Sequence, residues 1–375
     1  MFGIFRRAMT KALKSSQPRK MVAAALAVQK VAIKALQPAR KQRAATSKPK
    51  PLPKPRARLG ETVRRINAGG MPAKAAAPAI KTAVARGASF KVGHFSDATG
   101  KRSYKLYRPS HATLPNSALP LVVMLHGCTQ NPDDFAVGTA MNRLADELGF
   151  LVAYPAQPIG ANAKKCWNWF QPADQSRDGG EPALIAGITR QIIRDHPVDR
   201  ARVYIAGLSA GGAAAAIIAS AYPDIFAAAG VHSGLPIGAA QNAVVALMVM
   251  QAGSLGVRQS VAMPTIVFHG DADTTVHPGN GHAVAARAAA TFPALTEAVK
   301  TGRTGPHKYT RTVYRARDRK SYCEHWVIAG GGHAWSGGNP AGSFTNAHGP
   351  DASREMLRFF LQHNIAAGAG ARPAL

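Results

Sequence analysis

Short unbroken apolar runs alternate along the chain with longer segments whose apolar residues recur at helical spacing. LPLVVMLHG (Leu119 to Gly127), FLVAYPA (Phe150 to Ala156), RVYIAG (Arg202 to Gly207), FAAAGVHSG (Phe226 to Gly234) and PTIVFHG (Pro264 to Gly270) are of the first kind. Such runs predict strands buried on both faces, and a glycine at the end marks where a loop begins. Asp133 to Leu148, Glu181 to Asp195, the alanine-rich stretch after Ser209 and Asp351 to His363 are of the second kind and predict helices. FKVGHFSDATGKRSYKLYRPS, from Phe90, reads as two strands around the turn Ser96 to Gly100. Tyr309 to Gly330 holds two further strand-like runs around Arg317-Asp318-Arg319-Lys320. The alternation predicts an α/β fold, a mostly parallel central sheet with helices on both faces. In such sheets functional groups collect beyond the carboxyl ends of the strands.

The charge changes the picture at one end only. Of a formal net charge of +28, residues 1–90 hold +20, with 21 Lys/Arg against the single acid Glu61. Like charges repel, and the prolines of KPKPLPKPRAR (Lys48 to Arg58) break regular structure. The expected organisation is therefore a basic low-complexity leader over 1–88, a catalytic-sized body over 89–364, and a flexible tail over 365–375. Residues 6–36 can form a basic amphipathic helix, so an anionic surface is a candidate partner. A solvated leader with no dedicated partner is the competing reading, and no specific nucleic-acid binding is expected. The apolar stretch from Met21 is broken by Lys30 and Lys34 and is followed by no clear cleavage site, so no signal peptide is expected.

Inside the body, YIAGLSAGGAAAA (Tyr204 to Ala216) carries G-x-S-x-G between a strand and a helix. In α/β-hydrolases that pattern forms a sharp turn with the serine at its tip. The competing reading makes Ser209 a plain helix N-cap. A nucleophilic serine needs a histidine to take its proton and an acid to hold the imidazole, here in the order Ser, Asp, His. Asp271 and Asp273 both follow the strand PTIVFHG; a loop two residues on can reach inward, which favours Asp273 and leaves Asp271 as a turn or supporting residue. His333, past the strand HWVIAG, is favoured as the base over His269, His277 and His282. The oxyanion donors expected are the N–H groups of Ala210 and, in the loop His126 to Gln130, of Cys128, with Thr129 next. CWNWF (Cys166 to Phe170) places Trp167 and Trp169 either as an apolar wall beside the serine or as packing anchors, with Trp335 at the same rim. Cys128 and Cys166 fall in loops at one end of the sheet and are candidate disulfide partners, whereas Cys323 reads as an unpaired core thiol. No Cys/His spacing suggests a metal site, and this chemistry calls for no metal or organic cofactor.

LHGCTQNPDDF, CWNWF, GEPALIAGITRQII, GLSAGG, FHGDADTTVHPGN and GGHAWSGG, in that order, resemble the poly(3-hydroxybutyrate) depolymerase family of esterases over roughly Phe90 to His363. The resemblance implies an α/β-hydrolase cleaving short-chain or polymeric hydroxyalkanoate esters, with Ser209 as nucleophile, Asp273 as acid and His333 as base. Thr129, Trp167, Trp169 and Trp335 are the expected substrate contacts. Feruloyl and acetylxylan esterases share these motifs, so a carbohydrate ester is the alternative substrate. A polymer- or polyanion-binding protein on a hydrolase scaffold is the second alternative. Secretion is usual in such a family, which implies an extracellular location; the missing signal peptide makes the cytoplasm the alternative. Oligomeric state is not indicated.

Overall fold

The computed structural model describes residues 82, 84–110, 118–254 and 262–365. Apart from residues 82, 84–88 and 365, the expected leader over 1–88, with its amphipathic stretch 6–36, and the tail over 365–375 lie outside the described residues.

The strands are β1 (Ser89–Asp97), β2 (Gly100–Arg108), β3 (Leu119–Leu125), β4 (Leu151–Pro155), β5 (Val198–Leu208), β6 (Ala228–His232), β7 (Thr265–Gly270), β8 (Thr296–Thr304), β9 (His307–Arg315) and β10 (Ser321–Ile328). They form one sheet in the order β1-β2-β4-β3-β5-β6-β7-β10-β9-β8. Its centre, from β4 to β10, is parallel, and the hairpins β1–β2 and β9–β8 extend it antiparallel at either end.

Apolar alternation along each central strand divides the core into two layers. Leu121, Val123 and Leu125 of β3 pack with Ile185, Ile188 and Ile192 of α3 (Gly180–Asp195) and with Ile217 and Ile218 of α4 (Ala210–Ala221). Val122 and Met124 face the other way, onto Met141 and Leu144 of α2 (Met141–Leu148) and onto Met356, Leu357, Phe359 and Phe360 of α7 (Ala352–Phe360). The remaining helices are α1 (Pro132–Thr139), α5 (Ala243–Ala252) and α6 (Gly279–Ala290).

The structure departs from the sequence-based expectation at several elements, α5 among the helices not foreseen. The single helix expected over Asp133 to Leu148 is two, α1 and α2, because Ala140 adopts a left-handed conformation (φ 52°) and its N–H turns back to the Val137 carbonyl. Ser353 Oγ then donates to the Thr139 carbonyl at 2.6 Å, satisfying a group the break leaves open. The strand β8 was not expected, since TEAVKTGRT is almost wholly exposed and has no apolar run to betray it.

Register brings the strand ends level. Leu208, His232, Phe268 and Trp326 are paired across β5, β6, β7 and β10, so the loops after these strands open on one edge of the sheet.

Candidate active site

Beyond Leu208 the chain reverses within one residue. Ser209 has φ 58° and ψ −121°, a conformation that side chains rarely adopt and that costs on the order of 1–3 kcal/mol. It stands at the N-cap position of α4, yet its side chain makes no capping bond there. Instead its N–H donates to the His232 carbonyl at 2.8 Å, which fixes the turn to the neighbouring strand end. Both glycines of the pattern are sterically required. A Cβ at Gly207 would stand 2.3 Å from the Gly211 backbone, and one at Gly211 would stand 2.1 Å from the Leu125 oxygen.

The loops after β7 and β10 meet at a carboxylate. Asp273 Oδ1 accepts the N–H groups of Thr275 (2.9 Å) and Val276 (2.8 Å), and Oδ2 accepts His333 Nδ1–H at 2.8 Å. His269 Nε2–H donates to the Val276 carbonyl at 2.9 Å and lies 3.4 Å from the same Oδ2. Burial pushes the Asp273 carboxyl up, but the bonds from His269, His333 and Val276 outweigh it and hold the group below the usual carboxylate range. It is therefore a buried anion. With Nδ1 committed to Asp273, the Nε2 of His333 is the nitrogen left to face a reacting group. Asp271 does something else: its exposed side chain accepts the Gly330 N–H at 2.7 Å and ties the two loops together. His277 lies in the loop before α6, and His282 on α6 packs against His325. The structure thus brings Asp273 and His333 into contact and sets Ser209 on the same edge, two strands from the one before Asp273 and three from the one before His333. Among the described residues no hydrogen bond joins Ser209 to His333; such bonds commonly tighten only with substrate bound.

The loop after β3 supplies the candidate donors. Thr129 is exposed, with φ 68°, and its N–H is already used on the Lys164 carbonyl at 2.6 Å. The Cys128 N–H has no acceptor among the described residues, and the Ala210 N–H is one of the first-turn donors that helix α4 leaves open. Cys128 and Cys166 are joined in a disulfide that spans 38 residues and pins this loop to the one after β4. Cutting a closed loop of 38 residues is expected to lower stability by about 4 kcal/mol. The urea midpoint of the Cys128→Ser, Cys166→Ser double variant, set against the wild-type protein, measures this.

Of the two readings of the tryptophans, wall or packing anchor, the burial of all three fits the second. Trp167 is 0% exposed, with its Nε1–H on the His126 carbonyl at 3.0 Å. Trp335, 1% exposed, donates to Ser353 Oγ at 3.0 Å and packs edge-on to Phe135 and flat on His232. Trp169 retains 5% and meets Phe170 edge-on. All three spend nearly all their surface on packing and hold the loops. The Cys323 thiol is free and fully buried, donating to the Ala285 carbonyl at 3.4 Å.

Three supporting groups were not foreseen. His232, beneath the elbow, accepts the Ser336 N–H on Nε2 (3.0 Å) and donates from Nδ1 to Ser233 Oγ (3.2 Å); burial pulls its pKa down to about 3, so it is neutral. Glu181 accepts from Asn168 N–H (2.7 Å) and from Gln157 Nε2, and burial, then Asp174, push it up to about 7. Gln130 and Asp134 both bond Ser343, joining the loop after β3 to the loop beyond His333. Polar residues with no metal or nucleophile spacing carry no sequence signal of such roles. Among the described residues no group of three His, Cys, Asp or Glu side chains is placed to hold a metal ion, and no helix is long and apolar enough to cross a membrane.

A family model described as Esterase PHB depolymerase matches residues 102–308. Poly(3-hydroxyalkanoate) depolymerase C of Paucimonas lemoignei is 30% identical over 270 residues, 67% of this chain and 62% of that protein. Probable acetylxylan esterase A of Aspergillus fumigatus is 30% identical over 210 residues, 49% of this chain and 53% of that protein. This chain therefore spans only 53–62% of the length of these two relatives. Among solved structures, acetyl xylan esterase from Aspergillus awamori superposes with a TM-score of 0.53 at 22% identity, over 72% of this chain and 98% of that one. The fold is the α/β-hydrolase fold.

Proposed function

The chain belongs to the esterase PHB depolymerase family, and from that premise we propose that it is a serine carboxylic-ester hydrolase acting on short-chain or polymeric hydroxyalkanoate esters. One observation carries the reading. A serine held in a strained turn that serves no capping purpose shares an edge with a histidine bonded to a buried carboxylate.

In the proposed reaction His333 Nε2 takes the Ser209 proton as Oγ attacks the ester carbonyl. Asp273, anionic and acceptor-only, holds Nδ1–H and stabilises the imidazolium that forms. The N–H groups of Ala210 and Cys128 receive the oxyanion. Collapse expels the alcohol, which takes the proton from His333 and leaves Ser209 acylated. Water, deprotonated by His333, attacks the acyl-enzyme; the acid departs and Ser209 recovers its proton. The catalytic body is assigned to 89–364, and the basic leader to contact with an anionic surface.

Hydrolysis of p-nitrophenyl butyrate, a hydroxybutyrate trimer and methyl ferulate tests the assignment. The trimer is expected to be cleaved with a higher kcat/KM than the ferulate. The reverse order would move the substrate to a feruloyl ester, the alternative that the feruloyl esterases among the chain's relatives suggest. Inertness on all three would remove the esterase reading.

A further inference from the structure

Trp167, Trp169 and Trp335 are buried, so the exposed aromatic surface beside His333 is another ring's. The ring that meets His333 is Phe344, with centroids 6.5 Å apart and planes 79° from parallel. It is 45% exposed, the reverse of the usual fate of a phenylalanine beside a packed core. Its backbone stands at φ 52°, a left-handed conformation that is a genuine outlier for so bulky a residue.

The surrounding structure holds it there. Trp335 N–H donates to the Phe344 carbonyl at 2.7 Å, and Trp335 pairs with Thr345 in the short parallel ribbon β11 (Trp335–Ser336) and β12 (Thr345–Asn346). On the other side Ser343 N–H donates to Asp134 Oδ1 (2.8 Å), and Ser343 Oγ donates to Asp134 Oδ2. Gln130 Nε2 donates to the Ser343 carbonyl (3.1 Å), while its Oε1 accepts the Gly127 N–H (2.8 Å). Gly342 sits so close to α1 that a Cβ there would meet the Gly138 Cα at 2.4 Å and its nitrogen at 2.5 Å, so the loop packs backbone to backbone against that helix. The same polar network thus anchors the candidate oxyanion loop and an exposed, strained aromatic ring. Strain that persists only because its surroundings enforce it, next to a reacting group, is where function is to be sought.

We propose that Phe344 is a specificity-determining residue, forming the apolar wall of the subsite for the leaving alcohol. The inference rests on the serine esterase reading. His333 must deliver its proton to the leaving oxygen, so a ring against His333 flanks the alcohol side of the ester rather than the acyl side. It selects esters whose alcohol carries an apolar branch or ring, the branched carbon of a hydroxyalkanoate unit being of that class.

The test holds the acyl group constant and varies the alcohol. The ratio of kcat/KM for benzyl butyrate to that for ethyl butyrate is expected to fall about 10-fold in Phe344→Ala. Phe344→Leu, which keeps apolar bulk, is expected to recover part of the ratio. A parallel comparison of p-nitrophenyl acetate with p-nitrophenyl butyrate, where the alcohol is fixed, is expected to give the wild-type ratio in both variants. An unchanged alcohol ratio, or equal losses on every ester, would overturn the assignment while leaving esterase activity in place. Wild-type protein inert on all four esters would instead overturn the esterase reading on which it rests.

Discussion

Ser209→Ala is expected to lower kcat for p-nitrophenyl butyrate by about 10⁴-fold or more, with the fold intact. The second half of that expectation is what gives the first its meaning. Ser209 Oγ caps nothing, and alanine keeps the Cβ, so the turn at φ 58° is no more strained in the variant than in the native chain. The N–H bond to the His232 carbonyl involves backbone alone and survives as well. Loss of activity with an unchanged melting temperature therefore reports on chemistry, not on the turn. A hydrolysis rate preserved in the variant would place the nucleophile elsewhere. Some residual rate above that of water is expected, because the oxyanion donors and the binding surface remain.

The second large effect is on stability. Gly211→Ala is expected to lower the melting temperature by about 10 °C, corresponding to about 3 kcal/mol or more. The added Cβ would lie 2.1 Å from the Leu125 oxygen and 2.6 Å from the His126 oxygen. Both are backbone atoms at the end of a central strand, where no side chain can rotate away. Relief requires moving α4 from β3, and with it the loop that carries Cys128. Activity is thus expected to fall beyond what the lost stability explains. Gly160→Ala is the matched control, since a Cβ there meets nothing within 4 Å, and its melting temperature is expected to match wild type. Equal behaviour of the two variants would show that the contact at the elbow can relax.

What could be read from the chain depended on how a residue's environment writes itself into neighbouring residues. β3 and β7 are buried along their whole length; β3 is apolar throughout and β7 from Ile266 to Phe268, and a glycine follows each apolar run two residues on. The strand β8 lies at the sheet's edge with nearly every side chain in water, and its composition says nothing of its pairing. The break at Ala140 has no proline, and its one nearby glycine, Gly138, lies inside the last turn of α1, where it lets the Gly342 backbone approach.

The site shows the same division. Ser209, the two candidate aspartates and His333 are legible as strand-end residues. Sequence position already favoured Asp273 over Asp271; what only the turn shows is the separate part each plays, Asp271 accepting the Gly330 N–H and Asp273 accepting from His333. The tryptophans were placed in the right loops, but sequence carries no indication of which way a loop side chain turns. Trp167 and Trp335 turn inward because each has a hydrogen-bond acceptor waiting for its indole N–H in the core. Phe344, with no polar handle to satisfy, is the ring left at the surface beside His333.

The most direct measurement is of the covalent intermediate itself. Wild-type protein would be mixed with p-nitrophenyl butyrate, quenched in acid within milliseconds, digested and mapped by mass spectrometry. A butyryl group on the peptide containing Ser209, formed with a burst of p-nitrophenol and absent from Ser209→Ala, is the expected result. Turnover of the ester with the acyl group on another residue, or with no adduct at any time, would contradict nucleophilic catalysis by Ser209.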